Sequence, residues 1–288
     1  MLNYLINRAA LRSRVLRLTP VDTLRRQASA ARRRDFRPDT DLSAAAGAVL
    51  AGVDDRGVHL LPAAAELLGN DATTIERLIA NGVDGWEWNG DGILESDEVC
   101  NQDGEAYRLG LNSTLLDLAE QYIGERCFYM GCSLKREDVS SFKGGTRQWH
   151  LDIEDDRMLR IIIYLNNVEE GGGPFQYIEA PRSRLACSQL VYRSGYISDA
   201  TMRSAVEEAR WNSAYGPAGL IVAFDGTRVF HRVARPTSKA RLSLSLTYTS
   251  RHPRHVFRQV RLRLNTCRSA LSDLSERERA CLPGARWT

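Results

Sequence analysis

The chain has 288 residues, 43% of them hydrophobic and 26% charged, which is the balance of an ordinary globular protein able to bury a core without disulfide staples. No apolar run approaches the ~20 residues needed to span a bilayer, and the N-terminus lacks the apolar block and cleavage site of a secretory signal, so no membrane span and a cytoplasmic location are expected. A net charge of +3 creates no general demand for nucleic acid.

In chain order, residues 1–40 hold ten arginines against three acids, including the run Arg32, Arg33, Arg34. That bias suits a basic arm for an anionic partner, a transit peptide, or an amphipathic helix capping the domain. The last is favoured by the helical spacing of Leu2, Leu5, Ile6 and Ala9. Helical patterning continues through 59–82, split by turn residues at Gly69-Asn70-Asp71, and recurs at 113–123 on the stripe Leu115, Leu116, Leu118, Ala119.

From Cys127 the texture changes to short strands, predicted over 146–153, 158–165, 174–179, 219–225, 228–234 and 240–250. Ile161-Ile162-Ile163-Tyr164 is β-branched or aromatic throughout, and Arg241-Leu-Ser-Leu-Ser-Leu-Thr-Tyr alternates as a strand with one buried face does. Asp199 can cap a helix reaching Trp211, and a last helix is predicted from Asp273 to Cys281, stopped by Pro283-Gly284. The expected organisation is a helical region over 1–123 packing on a β core over 124–262, with a C-terminal helix and tail over 263–288, forming a single domain overall. The fold class is mainly β with flanking helices, built as a double sheet. The six cysteines show no CxxC pair and suggest free thiols in a reducing compartment.

Five histidines occur. In His150-Leu151-Asp152 an imidazole and a carboxylate two residues apart on a strand would face the same side and offer two cis ligands to one metal. His231, in Phe230-His231-Arg232-Val233, can complete a set of two histidines and one carboxylate, which leaves the positions open that oxygen-activating ferrous iron needs. An H-x-D triplet alone is more often surface polarity or a satisfied core histidine than a metal site. Its surroundings add weight: Tyr164-Leu165-Asn166 leads into the turn Gly171-Gly172-Gly173-Pro174, and Arg241-Leu242-Ser243 follows His231 by ten positions. Arg241 and Ser243 share a strand face, where a guanidinium can hold a carboxylate through two parallel hydrogen bonds and a hydroxyl can add a third.

The order of these blocks, over residues 125–252, resembles the 2-oxoglutarate/iron(II) oxygenase superfamily, its phytanoyl-CoA-hydroxylase-like and prolyl-hydroxylase-like branches above all. The resemblance implies a double-stranded β-helix (jelly-roll, cupin-like) core and the cofactors Fe(II), 2-oxoglutarate and O2. It implies that His150, Asp152 and His231 ligate iron, that Arg241 and Ser243 grip the far carboxylate of 2-oxoglutarate, and that Tyr164 reaches the same group. The implied activity is hydroxylation of an unactivated C–H bond in a small molecule, an amino acid or a peptidyl residue, in specialised metabolism. Desaturation, epimerisation or cyclisation use the same iron set. Relatives that halogenate lack the carboxylate, so Asp152 favours hydroxylation. The chain departs from many phytanoyl-like relatives at Glu179-Ala180-Pro181-Arg182-Ser183, where they carry a Pro-Gly-Ser-His turn.

Other features stay smaller. Glu87 to Glu98 matches a calcium-loop pattern in part, but Glu stands where the first Asp belongs, so a polar turn is favoured. Glu154, Asp155 and Asp156 form a solvated loop or face a cationic substrate, whereas Arg182, Arg184 and Arg193 would suit an acidic one. His59, His252 and His255 read as structural or surface residues. The other-class alternative is a jelly-roll metal-binding sensor without catalysis, against which Arg241 argues.

Overall fold

A computed structural model describes residues 19–83, 85–88, 92–139, 144–254 and 271–283. The alternating segment from Arg241 forms β9 (Arg241–Ser250), the longest pairing surface of a six-stranded antiparallel sheet. The other strands are β1 (Val58–Leu61), β2 (Ile93–Glu95), β3 (Cys127–Glu137), β4 (Met158–Tyr164) and β7 (Ile221–Phe224), in the order β1-β7-β4-β9-β3-β2. A second sheet of β5 (Phe175–Ile178), β6 (Asn212–Ala214) and β8 (Phe230–Val233) runs β6-β5-β8, also antiparallel.

The helices before β3 are α1 (Thr19–Asp35), α2 (Ala44–Arg56), α3 (Ala65–Leu68), α4 (Ala72–Asn81), α5 (Ser96–Gln102), α6 (Gly104–Arg108) and α7 (Ser113–Ile123). After β5 come α8 (Ala180–Gln189), α9 (Asp199–Arg203) and α10 (Glu276–Ala280).

Period-two alternation separates the large sheet into two faces. Leu134, Ile161, Ile163, Ala223, Leu244 and Leu246 point outward into a core shared with α2, α4 and α7. The α7 stripe fills that core with Leu115, Leu116, Leu118 and Ala119, each worth about 1–3 kcal/mol when withdrawn from water, the leucines most. The helix starts on an Asn112 cap and ends at Gly124, whose φ of 79° a side chain would resist. The opposite face carries Val58, Ile162, Tyr164, Val222 and Phe224, which meet Phe175 and Tyr177 of the small sheet. The candidate site lies on this inner side.

Several predicted elements need correction. The helical span expected over 59–82 begins instead with β1, which holds His59, because Val58–Leu61 pairs with β7. The span 146–153 is not a strand: a single turn of 3-10 helix (Gly145–Arg147) is followed only by isolated bridges at Trp149 and His150. The helix expected from Asp199 to Trp211 stops at Arg203, and Ser198 caps it by accepting the Thr201 N–H. The last helix is one turn, opened by a Ser275–Glu278 capping box. The helical region before residue 123 also supplies β1 and β2, the two edges of the large sheet.

The arginine-rich start is partly explained. Arg25 binds Asp156, and Arg32 binds Glu125 at 2.7 Å, so α1 is fastened to the core by ion pairs. The amphipathic pattern at 2–9, together with His255 and Cys267, lies outside the described residues. The C-terminal segment docks on β3, where Tyr129 N–H donates to the Cys281 carbonyl at 2.8 Å and the Cys281 thiol lies beside that of Cys127. The cysteines among the described residues are all free.

Candidate metal centre and its surroundings

His150 and His231 face each other across an antiparallel bridge in which each N–H donates to the other's carbonyl at 3.1 Å. Residues paired in this way project side by side, and the ring centroids are 4.3 Å apart. The Nδ1 of His150 lies 2.9 Å from the Gln148 carbonyl, and that of His231 lies 3.0 Å from the Val229 carbonyl. A carbonyl only accepts, so each Nδ1 carries the proton and each Nε2 keeps its lone pair.

Asp152 comes from the loop just past the bridge, held by its own N–H to the Gly226 carbonyl at 2.8 Å. Its Oδ1 is 3.7 Å from His231 Nε2 and 4.0 Å from His150 Nε2. The three donor atoms lie within 4.8 Å of one another. Donors bonded at about 2.0–2.2 Å to a first-row ion stand up to ~4 Å apart, so one ion can be shared with small adjustments. The other oxygen, Oδ2, sits 3.1 Å from Arg160 Nη1 in an ion pair that lacks hydrogen-bond alignment, so it keeps accepting capacity while buried. The donor set therefore fits a small dication of mixed N/O preference.

Burial pushes the His231 imidazole down to about 3 and lowers that of His150, with Asp152 opposing in both cases. Burial would raise Asp152, but Arg160 and the two histidines outweigh it and hold the carboxyl below its usual range. At neutral pH all three groups are in the deprotonated forms a metal requires. The same shifts carry a stability consequence. A histidine with a depressed folded-state pKa binds its proton more readily when unfolded, so its contribution is complete above about 6.5 and is lost as pH falls toward 3. Metal-free protein should lose up to ~1.4 kcal/mol per pH unit from this group below pH 6.5. Urea denaturation at stepped pH should show it, with a shallower slope in His231→Gln.

Gly226 is part of the site, although the sequence reading passed over it. A Cβ there would stand 1.9 Å from Asp152 Oδ2. The turn that presents it is anchored by Asp225, whose carboxylate accepts the Tyr122 hydroxyl at 2.6 Å and both the N–H and hydroxyl of Thr227, at 2.9 and 2.7 Å. Gly226→Ala should keep the fold yet displace the Asp152 carboxylate, lowering metal affinity by ~10–100-fold. Equilibrium metal titration checks this, and unchanged affinity would remove Gly226 from the site.

Arg241 projects from β9 onto the same inner face, fully buried. Its Nη1 donates to the Gly173 carbonyl at 2.8 Å, Nη2 is 3.5 Å from Glu137, and its Nε has no partner. Ser243 is buried two residues on. The Tyr164 hydroxyl accepts the Phe175 N–H and donates to the Ala214 carbonyl, both at 3.0 Å, while its ring lies 5.9 Å from the Arg241 guanidinium carbon. Phe175 and Phe224 pack on the His231 ring at 5.6 and 5.1 Å, and the half-exposed Tyr196 stands edge-on to His150 at 5.2 Å.

Arg160 was also missed by sequence reading. The signal was available: it is the one charged residue in the apolar run Met158–Leu165, so a strand there had to aim a cation at something. The acids after Asp152 serve the structure, Asp155 by accepting the Ser250 N–H at 2.8 Å and Asp156 by binding Arg25. In the calcium-like pattern, residues 89–91 lie outside the described residues, and the Glu98 carboxylate accepts the Glu95 N–H at 2.8 Å as a helix cap.

No protein-family model matches the sequence, and no curated protein does. Solved structures are similar to the chain. EvdO2 from Micromonospora carbonacea var. aurantiaca superposes with a TM-score of 0.51 at 12% identity, over 74% of this chain and 93% of that one. EctD from S. alaskensis with bound Fe gives 0.49 at 16% identity, over 77% and 88%. The epimerase SnoN in complex with Fe3+, alpha ketoglutarate and nogalamycin RO gives 0.45 at 15% identity, over 73% and 85%. At these identities the likeness to EvdO2 is one of fold, and the chemistry rests on the side chains described above. Fold and site together define a two-sheet β protein with a two-histidine, one-carboxylate centre between its sheets.

Proposed function

We propose that this chain is an Fe(II)- and 2-oxoglutarate-dependent oxygenase with a jelly-roll core drawn mainly from 124–262, to whose large sheet the region before residue 123 adds the edge strands β1 and β2. One observation carries the reading: three metal donors converge on the inner face that also buries Arg241, a cation with an unused N–H. A metal-binding sensor has no use for that second group, whereas a dicarboxylate co-substrate does.

In this reading His150 Nε2, His231 Nε2 and an Asp152 oxygen hold the iron. Iron with 2-oxoglutarate supplies the oxygen-activating chemistry when both are bound. Arg241 and Ser243 hold the far carboxylate of the oxo acid; Tyr164, expected at the same group, has its hydroxyl engaged by the Ala214 carbonyl and the Phe175 N–H, and its ring flanks the Arg241 guanidinium. The carbonyl bonds at both Nδ1 atoms fix the tautomers and ring planes. Phe175 and Phe224 exclude water from one side of the His231 ring. The reaction proposed is hydroxylation of a C–H bond in a small molecule, amino acid or peptidyl residue. Desaturation, epimerisation and cyclisation share the same residues and are separated by product analysis.

The test is succinate release from 2-oxoglutarate under air by the iron-reconstituted protein. Succinate formation that requires iron and is lost in His150→Ala supports the reading. Metal retention without any succinate, with candidate amines, amino acids or peptides present, points to the sensor instead.

A further inference from the structure

β3 places Lys135 on the inner face, level with Ser243 of β9 and, through it, with Tyr164 of β4. A register irregularity between Tyr129 and Cys132 sets this phase, sending Leu134 outward to the core and Lys135 and Glu137 inward. The Lys135 side chain is part-buried beside other charged groups, and no hydrogen bond or ion pair holds its ammonium within the described residues.

The acids and cations around it are committed elsewhere. Glu137 is held by Arg147 at 2.9 Å and faces Arg241 at 3.5 Å. Glu95 accepts a backbone N–H as the cap of α5. Arg160 is taken by Asp152. Burial and the Arg160 charge lower the Lys135 pKa, and Glu137 and Glu95 only partly oppose them. Ser243, the partner of Lys135, lies on β9 between Arg241 and Thr247, the partner of Arg160, so Lys135 stands between the Arg241 end of the sheet and the Arg160–Asp152 end. A part-buried cation without a partner has lost some of its hydration, and a ligand that brings a negative charge onto this face would replace it.

We propose that Lys135 binds a carboxylate of a bound ligand, as a cationic contact separate from Arg241. The carboxylate comes from one of two sources, the oxo acid or an acidic substrate. The second source would narrow the proposed function to substrates bearing an anionic group, and that part rests on the oxygenase reading.

The experiment uses the full chain loaded with Mn(II), as wild type, Lys135→Met and Lys135→Arg. 2-Oxoglutarate is titrated first, then benzoate and benzamide against protein saturated with 2-oxoglutarate. Lys135→Met is expected to weaken 2-oxoglutarate or benzoate by about tenfold or more, with Lys135→Arg recovering most of the loss and benzamide indifferent to both. A shift in the first titration assigns the contact to the oxo acid, and a shift in benzoate alone assigns it to an acidic substrate. Ligand-free Lys135→Met should melt at or above the wild-type temperature, since it removes an unpaired charge. Affinities within about twofold of wild type for both acids, in a folded variant, would overturn the proposal. Failure of the oxygenase reading is visible separately, as wild-type protein that takes up no metal or no 2-oxoglutarate. In that event benzoate binding to wild type and Lys135→Met still decides the role of Lys135.

Discussion

Replacing Asp152 with Ala is expected to leave a folded protein that has lost iron affinity by more than ~100-fold and releases no succinate from 2-oxoglutarate. Changes to groups that merely orient metal ligands cost ~10–100-fold, and Asp152 is itself a donor. It is also the donor that neutralises charge. With it gone, Arg160 no longer has the carboxylate 3.1 Å away that offsets it. The two histidines would then receive a dication beside an uncompensated guanidinium. This makes a ranking: Asp152→Ala should bind iron more weakly than His150→Ala, because the first inverts the local field and the second only removes a neutral donor. Asp152→Ala/Arg160→Met should recover part of the difference. Iron content after gel filtration and succinate release read both effects. If Asp152→Ala keeps iron within tenfold of wild type, the assignment of the centre is wrong.

The donor residues were legible in the sequence because chemistry restricts them so tightly, whereas the backbone that presents them was not. His150 and Asp152 were expected to share a face by strand alternation, but only His150 is in a bridge. Asp152 is brought round by its N–H bond to Gly226, a contact 74 positions away that no local pattern announces. β4, marked by its β-branched run, and β9, marked by its alternation, were found nearly to the residue. The long β3 was not, because Cys127–Glu137 mixes aromatic, glycine and charged residues. Its inward residues Lys135 and Glu137 are charged, so they break the apolar alternation by which strands are recognised. β1 and β2 are three or four residues long and draw their stability from pairing with β7 and β3, which lies outside any local window. Arg160 and Gly226 share this origin. Each is defined by what it touches on another segment, so the sequence shows the residue and hides its reason.

Arg241→Met is expected to raise the Kd for 2-oxoglutarate by about 30-fold or more while leaving iron affinity close to wild type. The estimate follows from removing one member of a desolvated charge pair, worth ~2–5 kcal/mol. Folding should survive for an identifiable reason. Glu137, which faces Arg241 at 3.5 Å, retains Arg147 at 2.9 Å, so no buried carboxylate is orphaned by the substitution. The Gly173 carbonyl loses its 2.8 Å donor, a smaller cost of about 1 kcal/mol that a modest fall in melting temperature would report. The discriminating measurement is a second oxo acid. 2-Oxobutyrate has no far carboxylate, so its weak binding should be indifferent to Arg241→Met, and the gap between the two oxo acids should close. Arg241→Lys should fall between, since an ammonium restores the charge but not the two parallel hydrogen bonds. If the variant weakens both oxo acids equally, Arg241 acts through the architecture of β9 and not on the carboxylate, and the co-substrate assignment fails while the metal assignment stands.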